Sequence, residues 1–172
     1  TTNNYTTSYI DQQKFKTDMA IKGYEFIRFC DKDGGKLKIG LLIKISSGIT
    51  HIDNDATNCI ANFEIESIKQ KFSVGMAHLN HALKNRAKFK LDNLLTGLKD
   101  KENVILIGDF NWLVAELYKM DASLQTDYTI ENYVYEDNNK QYTGLKRSMQ
   151  IDMIFYKKKD GGIFKGDSIK VL

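Results

Sequence analysis

Apolar residues recur along this chain in three rhythms. Leu83, Ala87, Leu91, Leu94, Leu95 and Leu98 fall at steps of four, three and one, which gathers their side chains into one helical stripe. Lys84, Lys88 and Asp92 lie elsewhere on the same wheel, and the pattern predicts a helix over residues 79–101. A compact block, Val104-Ile105-Leu106-Ile107, is mostly β-branched and predicts a short strand over 103–107, buried on both faces. Strand-like runs at 24–29 and 37–45 flank Asp31-Lys32-Asp33-Gly34-Gly35-Lys36 and predict a hairpin, because its Asp-Gly-Gly centre tolerates positive φ. Two more strands are predicted at 59–65 and 71–78, joined by a short turn.

The weaker patterns fill in the rest. Residues 1–8 are polar and expected to fray. Residues 9–21 suit a helix with Ile10, Phe15 and Met19 as buried candidates and Gly23 as its stop. Residues 46–58 read as a polar connection. A mixed segment runs from Trp112 to Met120, followed by a strand at 128–135 and a surface turn at 136–140. Residues 149–156 form another short strand, interrupted by Asp152, and 169–172 a last one. Strand, helix and strand over 71–107 predict a right-handed crossover with the two strands parallel. No repeat, linker or shift in composition divides the chain, so one domain is expected over 1–172.

Composition narrows the function classes only a little. With 172 residues, 42% hydrophobic and 27% charged, the chain has ordinary globular make-up and length for a sizeable core. Its net charge is +3, and 22 of the basic residues are lysine against 3 arginines. Lysine is a compact point charge, so this balance supports general attraction to polyanions more than bidentate phosphate recognition. No apolar run approaches the roughly 18 residues of a membrane span. Cys30 and Cys59 match no metal spacing and are too few for a disulfide framework; they read as buried free thiols, with a single bridge as the alternative. Proline is absent, which fits a Lys-, Asn- and Ile-rich bias and carries no functional inference. Asn4-Tyr5-Thr6 matches a glycosylation acceptor, a pattern short enough to arise by chance.

The candidate chemistry lies where the strand at 103–107 stops. Gly108 is followed by Asp109 and Asn111 at the strand's carboxyl end, where α/β sheets collect ligand-handling loops. Two residues apart on an extended backbone, both side chains point the same way. A carboxylate can bind a divalent cation or take a proton from water, and a carboxamide can hold a phosphate oxygen. The plain alternative is a buried strand ending in an Asx-rich turn. On the parallel topology His78 shares a sheet edge with Asp109, either as a site residue or as a structural strand-end histidine. Asp152 sits inside an apolar strand and needs a partner, with Arg147 or a backbone amide available. Trp112 either stacks on a base or sugar or fills the core. His51 and His81 read as uninvolved. Lys157, Lys158 and Lys159 form either a phosphate contact or a solvated turn.

The order His78-Leu79, amphipathic helix, Gly108-Asp109-Phe110-Asn111, then Ile151-Asp152-Met153-Ile154-Phe155 resembles the endonuclease/exonuclease/phosphatase superfamily. That group includes DNase I-like nucleases, abasic-site endonucleases, neutral sphingomyelinases and inositol polyphosphate 5-phosphatases. Met76-Ala77-His78-Leu79 is similar to its Asn-Thr-His-Leu strand end, with Met and Ala replacing the first two residues. Gly108-Asp109-Phe110-Asn111 matches its Gly-Asp-Phe-Asn in full, and Gln150 to Phe155 is similar to its Arg-Ile-Asp-Tyr-Ile, with Gln for Arg. Gly23-Tyr24 and a hairpin ending Gly40-Leu41-Leu42-Ile43 resemble its second quarter.

The resemblance spans residues 9–172 and implies an α/β (α+β) fold. That fold is a four-layer sandwich of two mainly antiparallel β-sheets flanked by helices, with 103–107 central. It also implies Mg²⁺- or Mn²⁺-dependent phosphodiester hydrolysis, a nuclease acting on DNA or RNA being the leading case because basic charge suits a polyanion. The implied catalytic residues are His78, Asp109, Asn111 and Asp152. Asp109 would orient or deprotonate water and ligate the metal. Asn111 would hold the scissile phosphate, and His78 would donate to a phosphate oxygen or leaving group. Asp152 would orient a closing histidine, and Trp112 would bind substrate.

The family's opening strands with their metal-site Asn and Glu, and its closing Ser-Asp-His, have no counterpart in these 172 residues. The chain is therefore expected to be the middle of a longer enzyme, incomplete at both ends, with flanking sequence or a partner chain covering exposed strand edges. The alternative is a binding or structural module that keeps the fold without the chemistry. A third reading is an unrelated α/β protein with an accidental Gly-Asp-Phe-Asn. An intracellular setting is favoured.

Overall fold

β-Branched and aromatic runs become strands here, and the helical stripe becomes a helix laid along a sheet. The structure, a computed structural model, describes residues 9–32, 36–131 and 152–157. The hairpin centre at 33–35, the turn at 136–140, Arg147, Lys158, Lys159, the predicted strand at 169–172 and the acceptor at Asn4 lie outside the described residues. The elements are α1 (Tyr9–Ile21), β1 (Tyr24–Lys32), β2 (Lys36–Lys44), β3 (Ile49–Asp55), β4 (Ile60–Ile65) and β5 (Gln70–His78). They continue as α2 (Lys84–Leu98), β6 (Val104–Asp109), α3 (Val114–Met120), α4 (Ser123–Asp127), β7 (Tyr128–Glu131) and β8 (Asp152–Lys157).

The described residues form two sheets, β1-β2 and a six-stranded sheet of order β3-β4-β5-β6-β8-β7. Pairings are antiparallel for β1–β2, β3–β4, β6–β8 and β7–β8, and parallel for β5–β6. This is the mainly antiparallel α/β arrangement with flanking helices that the resemblance implies. The strand predicted at 103–107 is interior, as expected, with β5 on one side and β8 on the other. The chain forms two compact units, Thr1–Lys71 and Phe72–Leu172.

In the first unit α1 ends on Gly23, whose φ of +81° is the left-handed turn that glycine adopts without strain. Phe15 meets Phe26 edge-on at 5.1 Å, and Phe15 and Met19 are half-buried rather than buried. The hairpin of β1 and β2 forms as predicted. The polar connection expected at 46–58 is instead largely a strand. β3 pairs with β4 from Ile49↔Ile65 to Asp55↔Ile60. Its exposed side chains hid it, and they bond along the surface: Asn62 Nδ2 donates to Asp53 Oδ1 at 2.5 Å, and Thr50 bonds Glu66. The expectation of free thiols is also corrected, because Cys59 is disulfide-bonded. It is 5% exposed and sits at φ +56° in the β3–β4 turn.

In the second unit Ala87, Leu91, Leu94, Leu95 and Leu98 are buried, as the stripe predicts. Gly75 on β5 leaves the room they need. A Cβ there would lie 2.7 Å from Leu98 Cδ1 and 3.0 Å from Leu94 Cδ1. The helix starts at Lys84, not at 79. Asn80 Oδ1 accepts the N–H groups of Ala82 (2.9 Å) and Leu83 (2.8 Å), which holds the chain in a turn first and leaves Leu83 exposed. β6 is buried on one face only: Val104 and Leu106 are sequestered while Ile105 and Ile107 are half-buried. The mixed segment from Trp112 to Met120 is largely α3, and α4 follows in residues for which no element is predicted. Lys157 Nζ donates to the carbonyls of Lys99 (2.6 Å) and Lys101 (2.7 Å), a cation closing the carboxyl end of α2. Among the described residues, no helix is long and apolar enough to cross a membrane.

Candidate active site

Strand register assembles the site. His78 on β5 is opposite Asp109 on β6, and Asp109 is opposite Asp152 on β8. Opposed residues on neighbouring strands put their Cβ atoms on one face, about 5 Å apart. An imidazole and two carboxylates therefore form one row across three adjacent strands. His78 Nε2 lies 4.0 Å from Asp109 Oδ2, and the two side chains are 43% and 36% exposed, reachable by solvent.

Each position of Gly108-Asp109-Phe110-Asn111 has a local reason. Gly108 adopts φ +144°, and a Cβ there would lie 1.9 Å from the Ala77 carbonyl oxygen, so β5 and β6 approach closely only because it has none. Phe110 is fully buried and packs edge-on against Phe155 at 5.2 Å, anchoring the loop in the core. Asn111 takes φ +56°, a left-handed conformation that Asn tolerates better than most residues.

The backbone N–H of Asn111 donates to Asp109 Oδ1 at 3.0 Å, an Asx turn. In a continuing parallel ladder that N–H would have gone to the Leu79 carbonyl, since Leu79 N–H already donates to Asp109 O at 3.0 Å. The side chain substitutes for it: Asn111 Nδ2 donates to Leu79 O at 3.1 Å. The chain thus leaves the sheet with the last acceptor satisfied. Asp109 has one oxygen in this turn while the other faces His78.

Two residues not singled out from the sequence also hold this edge. Asn80 accepts at its backbone carbonyl from Trp112 Nε1 at 3.0 Å, and its position shortly before a helix is the signal that could have found it. Lys90 on α2 donates through Nζ to the His78 carbonyl at 3.0 Å, and nothing in the helical pattern marks it. Two histidines read as uninvolved lie elsewhere: His51 on β3 bonds Asn54 at 2.7 Å, and His81 is exposed in the turn after Asn80. Among the described residues, no group of three or more His, Cys, Asp or Glu side chains is arranged to hold a metal ion.

No family model and no curated protein matches the sequence. Solved structures match it in fold. One is an endonuclease/exonuclease/phosphatase from Bacteroides vulgatus, with TM-score 0.60 and 13% identity over 87% of this chain and 69% of that one. This chain has the endonuclease/exonuclease/phosphatase fold. The same fold relates it to ANGEL2, a 2′,3′-cyclic phosphatase, with TM-score 0.61 and 10% identity over 88% of this chain and 66% of that one. It also relates it to D. rerio TDP2 complexed with single strand DNA product, with TM-score 0.56 and 17% identity over 90% of this chain and 69% of that one. The chain spans 64% of the human Nocturnin catalytic domain and 63% of a humanized D. rerio TDP2. That fold is the one the Gly-Asp-Phe-Asn resemblance implies.

Proposed function

We propose that this endonuclease/exonuclease/phosphatase-fold protein hydrolyses phosphodiesters, with DNA or RNA as the favoured substrate. The observation that carries the reading is the row His78, Asp109 and Asp152, in register on three adjacent strands. Phosphodiester hydrolysis requires an oriented water, a donor to the phosphoryl or leaving oxygen, and charge neutralisation at the transferred group. Asp109 is the group for the water, because its second oxygen is directed away from the turn that holds the first. His78 is the donor beside it. Asn111 has a second amide hydrogen beyond the one on Leu79 O, available to a phosphate oxygen.

The donor set also suits a hard cation. Mg²⁺ typically takes one or two protein carboxylates and keeps several waters, and Asp109 and Asp152 are opposed carboxylates on one face. Asp109, with Asp152 beside it, would hold Mg²⁺ or Mn²⁺, which when bound would neutralise negative charge on the phosphoryl oxygens. The net charge of +3 and the lysine-rich composition support a polyanionic substrate. The ANGEL2 and TDP2 likenesses support phosphoester chemistry.

The test is cleavage of plasmid DNA and RNA by the natural-length protein, with and without EDTA. Asp109→Ala is expected to lower turnover by roughly 10²–10⁴-fold, the usual weight of a positioned acid–base group. Cleavage that survives both EDTA and Asp109→Ala would overturn the reading. A second reading, a binding module without chemistry, draws on Asn111 and one Asp109 oxygen being engaged in backbone hydrogen bonds. Salt-sensitive nucleic-acid binding without cleavage would favour it.

A further inference from the structure

Trp112 is the chain's one tryptophan, and its indole N–H is committed to the Asn80 carbonyl at 3.0 Å. Next to it Asn111 Nδ2 donates to the Leu79 carbonyl at 3.1 Å. Two consecutive side chains leaving β6 thus grip two consecutive carbonyls leaving β5. The gripped segment is not slack, because Asn80 Oδ1 draws Ala82 N–H and Leu83 N–H into the turn that leads to α2. These bonds begin one residue past His78 and two past Asp109, and Lys90 holds the His78 carbonyl itself.

We infer that Trp112 is a positioning residue: its indole N–H, acting through Asn80, sets the separation between His78 and Asp109 at which the pair works. The inference rests on the phosphodiester hydrolysis proposed above. It differs in kind from stacking on a base. Stacking uses the ring face, which phenylalanine also supplies, whereas the clasp uses the N–H, which phenylalanine lacks. Misplacing a reacting group by about 1 Å can cost roughly 10²-fold in rate.

Two readouts test this. In the first, ¹⁵N-tryptophan labelling gives one indole N–H resonance, whose hydrogen exchange is measured without any substrate. Exchange is expected to be slower than in free tryptophan and to accelerate at least about tenfold in Asn80→Ala, since that carboxamide shapes the accepting turn. Indole exchange as fast as free tryptophan in the unaltered protein would overturn the clasp.

The second readout is kinetic, with Mg²⁺ present and each variant's fold checked by circular dichroism. Trp112→Phe and Trp112→Ala are both expected to lower kcat by roughly 10- to 100-fold with KM within about twofold, the mark of a lost transition-state geometry. Trp112→His, which retains a ring N–H, is expected to recover part of the loss. A Trp112→Phe enzyme with unaltered kcat, alongside Trp112→Ala with raised KM, would overturn positioning in favour of stacking. Absence of hydrolysis by the unaltered protein would overturn the functional reading, while the exchange experiment would still decide the clasp, so the two failures are distinguishable.

Discussion

At Gly108 the backbone turns to φ +144° against the Ala77 carbonyl, and a Cβ would have to occupy a point 1.9 Å from that oxygen. The obstruction is backbone and cannot rotate away. Gly108→Ala therefore combines an unfavourable φ with a clash between paired strands, and is expected to destabilise the protein by roughly 3 kcal/mol or more. Urea unfolding measures it, and a loss under about 1 kcal/mol would show that β5 and β6 can separate at little cost. That a glycine shapes β6 here was legible, although the strand runs on through it to Asp109 where a stop was expected after 107. Its real constraint was not, since the Ala77 carbonyl is far away in sequence. Asn111 teaches the same lesson: its amide chemistry was legible, but its place in the ladder follows from a register that no local pattern states.

Elements were legible where one face is uniformly apolar and illegible where it is not. The α2 stripe was read from spacing alone, and five of its residues are buried. The helix starts five residues later than its pattern predicts, because the hydrogen bonds of Asn80 outweigh helix propensity over that turn. β3 carries no apolar pattern, because its burial is slight along its length and it is held by pairing with β4. The packing of the α2 stripe over Gly75 of β5 makes a direct prediction. Leu91 is fully buried on the stripe, so Leu91→Ala should cost roughly 2–5 kcal/mol by losing apolar burial and leaving a cavity. Chemical denaturation checks this. Phe89, 69% exposed on the same helix, serves as the control, and Phe89→Ala should change stability by no more than about 0.5 kcal/mol.

For the whole molecule, strand–helix–strand order was enough to foresee the parallel β5–β6 pair and hence His78 beside Asp109. The bridge at Cys59 stood only as the alternative to free thiols, because two cysteines carry no spacing signal that decides between them. Global stability also carries a titration that the sequence does not mark. Tyr128 opens β7, is 4% exposed, and has its phenol pushed up from 10.0 to about 12 by burial first and then by Asp127 and Asp121. The unfolded chain gives up this proton near the ordinary value, whereas the folded protein keeps it to about 12. Over that interval the unfolded state binds fewer protons, so stability must fall as pH rises. The contribution is complete below the ordinary value and gone above the raised one, a loss of roughly 2–3 kcal/mol. Lysines also lose charge in this range, but they do so equally in Tyr128→Phe. The difference between the two proteins in urea unfolding from about pH 9 to pH 12 therefore isolates the phenol. The unaltered protein should lose more stability than the variant by that amount, and parallel curves would show that the phenol ionises as readily folded as unfolded.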